Sequence, residues 1–308
     1  TLSGTASFTR TKNSENSQFG SFFTRPLEQY ELSGSLSWEA DIWGKIRSNK
    51  RAFSASYLQS VSAHQAVKTN LIANIAATYY QLLALDKQLE VANQTLEARK
   101  NSLETTVALK DAGQVTEVAV KQTEAQVHTT EIIVIDLENN IKLLENAFSI
   151  LLGEAPQKIQ RGKLDDQSIE TELSTGVPYL LLANRPDVMQ AEYGLINAFE
   201  LTNVAKSSLY PSLSLSATGG FQSLEFDNWL DASSLFSTLV GSLTQPIFNG
   251  RRLRTQMEVA KAQQEQALLN YKQALLTAGR EVSDALYTYE AETEKLEARS
   301  KELDAYAT

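Results

Sequence analysis

The sequence predicts an α+β fold in which pairs of short β-strands alternate with very long α-helices. Glycine and proline, which most often interrupt regular structure, are absent from residues 45–112 and 114–152, and residues 251–308 contain only Gly279. These uninterrupted segments far exceed the average globular helix of roughly 11–12 residues. Between them lie segments in which apolar and small polar residues alternate, which is the period of a strand with one buried face.

Four alternating segments predict the strands. The first begins at Leu2, the same pattern recurs over residues 32–42 and 212–221, and a less regular copy covers residues 236–248. Each segment is close to the roughly 9–11 residues that a tilted strand needs to cross a bilayer. The face opposite the apolar residues is mostly serine and threonine. For any single strand, an antiparallel sheet with one wet side remains the alternative interpretation.

Aromatic residues lie near the ends of these segments. Trp38 and Trp43 lie near the end of the second segment, and Phe248 closes the fourth. Transmembrane strands carry aromatic residues at the height of the membrane surface. We therefore expect an α+β membrane protein in which Trp38, Trp43 and Phe248 are membrane-interface aromatics in contact with lipid.

Residues 45–153 predict a long helical hairpin. Apolar residues recur at steps of three, four or seven along both halves, which is the seam of coiled-coil-like packing. The tip is expected near residues 109–118. There Gly113 can adopt the left-handed conformation that ends a helix, and Thr116 can cap the returning helix.

The remaining boundaries follow from the same signals. The predicted order is strands 1 and 2 in residues 1–44, the hairpin in 45–153, a less regular segment in 154–185, a helix in 186–210, strands 3 and 4 in 211–250, and a long helix in 251–308.

An internal repeat runs through this order. Gly34-Ser35-Leu36 recurs as Gly241-Ser242-Leu243, and the opening TLSGTASF has a counterpart in SLSATGGF at residues 214–221. The repeated unit is strand, loop, strand and long helix. Its four strands cannot close a membrane barrel, because bacterial barrels begin at eight strands and an open edge cannot face lipid. Three chains that pool their strands would supply twelve.

Composition and motifs exclude several classes of function. The net charge of −9 argues against nucleic-acid binding, and the absence of cysteine removes thiolate chemistry. His64 and His128 have no metal-ligand pattern around them, and phosphate-binding and nucleophile motifs are missing. We therefore predict no enzyme, no catalytic residues, no metal and no cofactor.

One segment carries a family resemblance. Residues 184–221, NRPDVMQAEYGLINAFELTNVAKSSLYPSLSLSATGGF, contain Arg185-Pro186-Asp187, Ala191-Glu192 and Pro211 just before a strand. This pattern resembles the signature of TolC-like outer-membrane efflux proteins. The resemblance implies a homotrimer with a twelve-stranded outer-membrane β-barrel that continues into a periplasmic α-barrel. It also implies extracellular loops at residues 13–30 and 222–235 and an equatorial segment at 154–185.

The same resemblance implies a function and its partners. The protein would be the outer-membrane exit duct of a tripartite efflux system, coupled to an inner-membrane pump through a periplasmic adaptor. The adaptor would contact the hairpin tip at Gly113, Val115 and Thr116. Glu39 and Asp41, which share the serine-rich face of strand 2, would line the lumen. Against the family pattern the chain is expected to be truncated at both ends, and the alternative function is a non-transport coiled-coil scaffold or adhesin stalk.

Overall fold

The computed structural model describes residues 1–14, 25–167 and 182–307. The strands are β1 (Leu2–Thr11), β2 (Leu27–Ala40), β3 (Ser212–Ser223) and β4 (Leu235–Thr244). The helices are α1 (Lys45–Asp111), α2 (Glu117–Leu151), α3 (Pro186–Ser207) and α4 (Arg252–Ala307), and two single 3₁₀ turns occupy Leu164–Asp166 and Ala232–Ser234. The predicted combination of four strands with very long helices is confirmed.

The chain forms two compact units. The first comprises Thr1–Val61 and Tyr179–Thr308, and the second comprises Ser62–Pro178. Helix α1, with 67 residues, is continuous through both. In the part of the chain that the structure describes, no helix combines the length and the apolar character needed to cross a membrane.

The four strands of the first unit form one antiparallel sheet in the order β1-β2-β3-β4. Its register aligns residues of the same character across all four strands, since Leu2 pairs with Leu36, Leu36 with Ala217, and Ala217 with Leu239. Because side chains alternate between faces, this register gathers most of the large apolar side chains on one side, while Phe236 and Val240 of β4 lie on the other. The β2–β3 pairing also joins the two halves of the internal repeat.

The two faces of the sheet differ sharply in chemistry. The polar face carries serine and threonine, with Ser3 and Ser35 hydroxyls 3.5 Å apart and Ser214 and Ser242 hydroxyls 2.8 Å apart. The other face is apolar and exposed. Its exposed large side chains are Leu2, Phe8, Leu32, Leu36, Trp38, Leu213, Leu215, Leu235, Leu239 and Leu243. We call this the apolar sheet face.

The structure corrects two strand boundaries. Strand β2 begins at Leu27, so the loop expected over residues 13–30 is too long; part of it, residues 15–24, lies outside the described residues. Glu28 and Gln29 hid the strand, because these neighbouring polar residues put polar side chains on both faces at this end of the sheet. Strand β4 ends at Thr244, short of the expected residue 248, since Pro246 has no N–H to donate to a ladder.

Small side chains allow the helices of the first unit to pack closely. Ala52, Ala55, Val188, Ala260 and Ala278 are buried there. Two hydrogen bonds to backbone carbonyls cross between helices. The Asn197 side chain donates to the carbonyl of Ala52 (2.8 Å), and the Thr202 hydroxyl donates to that of Ala260 (3.1 Å).

The second unit is built on the hairpin of α1 and α2. Its core contains Leu82, Ile141 and Phe148, with Tyr79 and Ile159 packed against them. At the tip, Gly113 has φ +73°. The Gly113 N–H donates to the Lys110 carbonyl (2.8 Å) and the Gln114 N–H to the Leu109 carbonyl (2.9 Å). These two bonds form a Schellman motif, the helix ending that glycine favours.

Candidate functional site

The junction between β2 and α1 is built around one carboxylate. Asp41 accepts hydrogen bonds from the backbone N–H groups of Ile46 (2.9 Å) and Arg47 (3.0 Å). These N–H groups belong to the first turn of α1, so they have no hydrogen-bond partner inside the helix. The N-terminal end of a helix also favours a negative charge. The Arg47 guanidinium also reaches the same carboxylate, at 3.2 Å. Asp41 therefore acts as the N-terminal cap that turns a strand into a helix.

Glu39 and Asp41 were expected to share one face of strand 2, and the structure separates them. Strand β2 ends at Ala40, so Asp41 lies past the strand. Glu39 stays on the polar face and forms an ion pair with Lys45 at 3.1 Å. A capping side chain one residue beyond a strand keeps the alternating pattern, which is why sequence alone extends the strand too far.

Trp43 connects the first strand-to-helix junction with the point where α3 leads into β3. Its ring stacks on Tyr210 with centroids 4.7 Å apart. Its indole N–H donates to the carbonyl of Pro211 (2.9 Å), and its own carbonyl accepts from the Ser207 hydroxyl (2.9 Å). These contacts join residues more than 160 positions apart, so they fix the two repeats to each other at the base of the sheet.

The three predicted membrane-interface aromatics do not form one cluster. Trp38 lies on the apolar sheet face, Trp43 is stacked at the junction, and Phe248 lies past β4 with 93% of its surface exposed. The second junction has no ring contact comparable to that of Trp43 and Tyr210 among the described residues. There the chain turns through Gly250 (φ +61°) and Arg251 (φ +65°).

An aromatic group at the opposite end of the sheet escaped sequence analysis. Tyr30 of β2 contacts Phe8 with ring centroids 5.0 Å apart, Phe226 at 5.3 Å and Trp229 at 6.0 Å. Phe226 and Trp229 belong to the β3–β4 connection, which carries no strand period. Their aromatic character was the available signal, but only the fold shows that they meet Tyr30.

An ion pair between an arginine of α1 and a glutamate of α3 joins these two helices, and the sequence alone did not reveal it. The Arg51 guanidinium donates to both oxygens of Glu200, at 2.7 and 3.0 Å. These hydrogen bonds hold the pKa of Glu200 below its ordinary value, although burial opposes the shift. The Arg-Pro-Asp motif forms a similar contact, because Arg185 donates to Asp187 (2.8 Å) and to Glu281 of α4 (2.6 Å).

In the second unit a single arginine anchors the segment that follows α2. Arg161 donates to both carboxylate oxygens of Asp86 and, at 2.6 Å, to Glu145. Its side chain is only 9% exposed. Residues 154–167 are thereby held against the helical hairpin.

The predicted tip residues lie together in the connection between α1 and α2. Gly113 and Thr116 are exposed, and Val115 is half-buried. Thr116 occupies the N-cap position of α2, but its hydroxyl makes no capping hydrogen bond. An ion pair between Lys110 and Glu117 at 2.9 Å bridges the two helix ends instead.

The described residues contain no group of histidine, aspartate or glutamate that could hold a metal ion. His128 pairs with Glu131 on the same helix at 2.9 Å. The structural features that stand out are therefore surfaces: the apolar sheet face, the junction below it and the exposed hairpin tip.

Comparison with known proteins agrees with these features. A family model described as outer membrane efflux protein matches residues 1–154 and 177–308. The toluene efflux pump outer membrane protein TtgF of Pseudomonas putida is 29% identical over 277 residues, which cover 90% of this chain and 58% of that protein. The solvent efflux pump outer membrane protein SrpC of the same species is 29% identical over 308 residues, covering 99% of this chain and 65% of that protein.

A solved structure shares the fold as well. The outer-membrane channel OprN superposes with a TM-score of 0.89 at 26% identity, covering 96% of this chain and 66% of that chain. The chain spans 58% of the length of TtgF and 65% of that of SrpC. The family match covers almost the whole chain, and the chain therefore belongs to the outer membrane efflux protein family and has the TolC-like fold that the signature in residues 184–221 predicted.

Proposed function

We propose that the protein is the outer-membrane exit duct of a tripartite efflux system and conducts small toxic solutes passively out of the cell. The observation that carries this proposal is the apolar sheet face. Large exposed apolar faces of this kind are typical of surfaces that contact a membrane or another protein rather than water. The strands also lead directly into helices that are long enough to extend into the periplasm. A soluble scaffold or adhesin stalk has no need of such a face.

The proposed assembly is a homotrimer. Strands β1 and β4 each pair on one side only, so one chain offers two unpaired ladders of backbone N–H and C=O groups. Lipid cannot satisfy these groups. If β1 of one copy pairs with β4 of the next, three copies close a twelve-stranded barrel with the apolar sheet face toward lipid and the polar face toward the lumen.

This orientation assigns roles to the remaining predicted residues. Glu39 lines the lumen near its periplasmic end, and Asp41 lies just below it at the junction. Trp38, Trp43 and Phe248 lie near the periplasmic surface of the membrane. Arg251, Arg252 and Arg254, which are close to Phe248 in sequence, would meet lipid phosphates there.

The hairpin tip is the proposed docking site for a periplasmic adaptor, which in turn contacts an inner-membrane pump. Gly113 and Thr116 are exposed there, and Val115 is half-buried. Residues 1–308 contain no cysteine, so Thr116→Cys places the one thiol of this segment at the tip for crosslinking in cells, with the protein lacking this substitution as the background. We expect it to capture the adaptor, whereas Glu97→Cys, an exposed position on α1 four helical turns away, should capture much less.

Deletion of the gene tests the function directly. The deletion strain should become more susceptible to organic solvents such as toluene, which the name of TtgF associates with that relative, or to drugs and metal ions. Complementation with the full-length gene should restore resistance. Unchanged susceptibility to all three classes, or a full-length trimer that is stable in water without detergent, would contradict the proposal.

A further inference from the structure

The charges on the polar sheet face are of one sign. The register places Ser3, Thr5, Ser7 and Thr9 of β1 on this face together with the odd-numbered residues of β2 and the even-numbered residues of β3 and β4. Among all of these positions the only ionisable side chains are Glu31 and Glu39. Neither lysine nor arginine occurs on this face of the four strands.

The two glutamates differ in their surroundings. Glu39 forms an ion pair with Lys45 at 3.1 Å, so a cation compensates its charge. Glu31 accepts a hydrogen bond from the Ser33 hydroxyl at 2.8 Å, and serine is neutral. Within the described strands, Glu31 therefore contributes a carboxylate that no cation on the same face offsets.

The basic residues nearest to Glu31 in sequence lie either on the other face of the sheet or past the strand ends. Arg10 belongs to the other face, where it pairs with Glu28 at 3.5 Å. Lys12 and Arg25 lie past the strand ends, and β2 begins at Leu27. Leu27 lies four residue steps from Glu31, about 13 Å along the strand at the usual rise, which exceeds the screening length of about 8 Å at physiological salt.

We infer that Glu31 makes the outer part of the barrel selective for cations and neutral solutes over anions. This inference rests on the proposed function, because a lumen exists only if copies of the chain close a barrel. In a trimer one Glu31 from each chain stands at the same height. Rings of acidic side chains favour cations in pores, and low-dielectric walls strengthen their field.

Electrical recordings test this inference. The full-length protein, purified in detergent and inserted into a planar lipid bilayer, is placed in a KCl gradient, and the reversal potential gives the ratio of K⁺ to Cl⁻ permeability. The wild type should prefer K⁺. Glu31→Gln should lower the ratio on the order of twofold, and Glu31→Lys should favour Cl⁻. Glu39→Gln should change the permeability ratio less than Glu31→Gln does, because Lys45 already offsets the charge of Glu39.

A second arm uses thiol chemistry, because residues 1–308 contain no cysteine and the full-length protein without an added cysteine serves as the unreactive background. A methanethiosulfonate reagent forms a disulfide with a cysteine thiolate and releases methanesulfinate. On Glu31→Cys, a sulfonate-bearing reagent should restore the preference for K⁺, and a trimethylammonium-bearing reagent should reverse it. Leu32→Cys is the matched control, because the neighbouring residue lies on the lipid side and modification there should leave the ratio unchanged.

The outcomes separate the two proposals. A conducting channel whose permeability ratio is the same in wild type, Glu31→Gln and Glu31→Lys overturns the inference and leaves the exit duct intact. A correctly assembled protein that conducts no ions overturns the proposed function and, with it, the role of Glu31. Equal effects at Glu31 and Leu32 would also overturn the inference, because they would show that the register does not decide which side chains face the pore.

Discussion

Single charged side chains hold the irregular parts of this protein to its helices, and Arg161 is the most buried of them. Replacing it with methionine should leave Glu145 without a cation, and Glu145 is only 8% exposed. Breaking a buried ion pair costs roughly 3–5 kcal/mol. Because the Asp86 side chain is 38% exposed, we expect the substitution to destabilise this contact by about 2 kcal/mol. The segment after α2 should then detach from the hairpin roughly 30-fold more often.

Tryptic cleavage measures this opening. In Arg161→Met, cleavage after Lys158 and Lys163 should accelerate by the same factor if opening is fast relative to cleavage. Lys121→Met provides the control, since the Lys121–Glu124 pair is exposed on both sides and such pairs contribute roughly 0–1 kcal/mol. Equal cleavage of wild type and Arg161→Met would show that apolar packing, with Ile159 against the hairpin, holds the segment instead.

The Arg51–Glu200 pair predicts a pH dependence. The pKa of Glu200 lies below its ordinary value of 4.5, chiefly because Arg51 donates hydrogen bonds to the carboxylate. A lowered pKa in the folded state means that the stabilisation is fully present above the unfolded value and is lost as pH falls through the folded value. The difference in thermal midpoint between wild type and Glu200→Gln should therefore be largest above about pH 4.5 and shrink below it.

The control for this pH dependence is Glu297→Gln. Glu297 pairs with Lys301 while both side chains are more than 70% exposed, and solvent screens such a pair. Its thermal midpoint should follow that of the wild type across the whole pH range. If the difference between wild type and Glu200→Gln were the same at about pH 3 and pH 7, the pair would not be the source of the stability.

At the scale of elements, two glycines on helices should respond oppositely to the same substitution. Gly113 ends α1 at φ +73°, where a side chain costs roughly 1–2 kcal/mol. Gly279 lies inside α4, and an added Cβ would make ordinary contact with Leu182 at 3.8 Å. Gly279→Ala should stabilise the helix by roughly 1 kcal/mol, while Gly113→Ala should destabilise the hairpin tip.

Hydrogen exchange at the two sites would measure both effects. Amides of residues 109–120 should exchange faster in Gly113→Ala, and amides around residue 279 should exchange more slowly in Gly279→Ala. Gly113→Asn should be milder than Gly113→Ala, because asparagine tolerates the left-handed region. If amide exchange became faster in both alanine variants, the backbone angle φ of the glycine would not be what determines whether alanine stabilises or destabilises the site.

The sheet contains a stricter requirement for glycine. A Cβ added at Gly220 would lie 2.0 Å from the backbone oxygen of Leu32 and 2.6 Å from Cα of Ser33. The backbone of β2 cannot yield without breaking its pairing with β3. Gly220→Ala should therefore disrupt the sheet and reduce the amount of the proposed trimer on unheated gels.

Gly4→Ala is the matched substitution, because an added Cβ there has no neighbour within 4 Å. It should assemble like the wild type. Assembly of Gly220→Ala at wild-type levels would mean that β2 and β3 can separate at this point without loss of the sheet.

The elements differed in how well the sequence predicted them. Long helices were predictable, because the absence of glycine and proline is visible residue by residue. The strands were predictable where one face is apolar and the other is hydroxylic. The prediction failed at the Glu28 end of β2, where cross-strand pairs such as Arg10–Glu28 replace apolar alternation, and at Asp41, where a helix cap imitates one more strand residue.

The same limit applies to the contacts at the site. The hairpin tip could be located from Gly113, because a left-handed helix ending has a local signature. The pairing of Arg51 with Glu200 and the stacking of Trp43 on Tyr210 could not, because each joins residues that are far apart in a single sequence. Such pairs are found among many equivalent charges and rings only once the fold brings them together.

For the whole molecule, the proposed function requires that one face of the sheet meets lipid and the other meets water. Neighbouring positions on β2 test this directly, because Leu36 lies on the apolar sheet face and Ser35, in the adjacent register row, lies on the polar face. A lysine near the middle of a lipid-facing strand costs roughly 2–4 kcal/mol, whereas lumen positions tolerate charge. Leu36→Lys should lower the amount of trimer in the outer-membrane fraction severalfold, and Ser35→Lys should leave it near the wild-type level.

The amount of full-length protein in that fraction, compared at equal expression, measures both variants. If Ser35→Lys were the variant that failed to assemble, the faces would be assigned the wrong way round, and Glu31 would face lipid rather than a lumen.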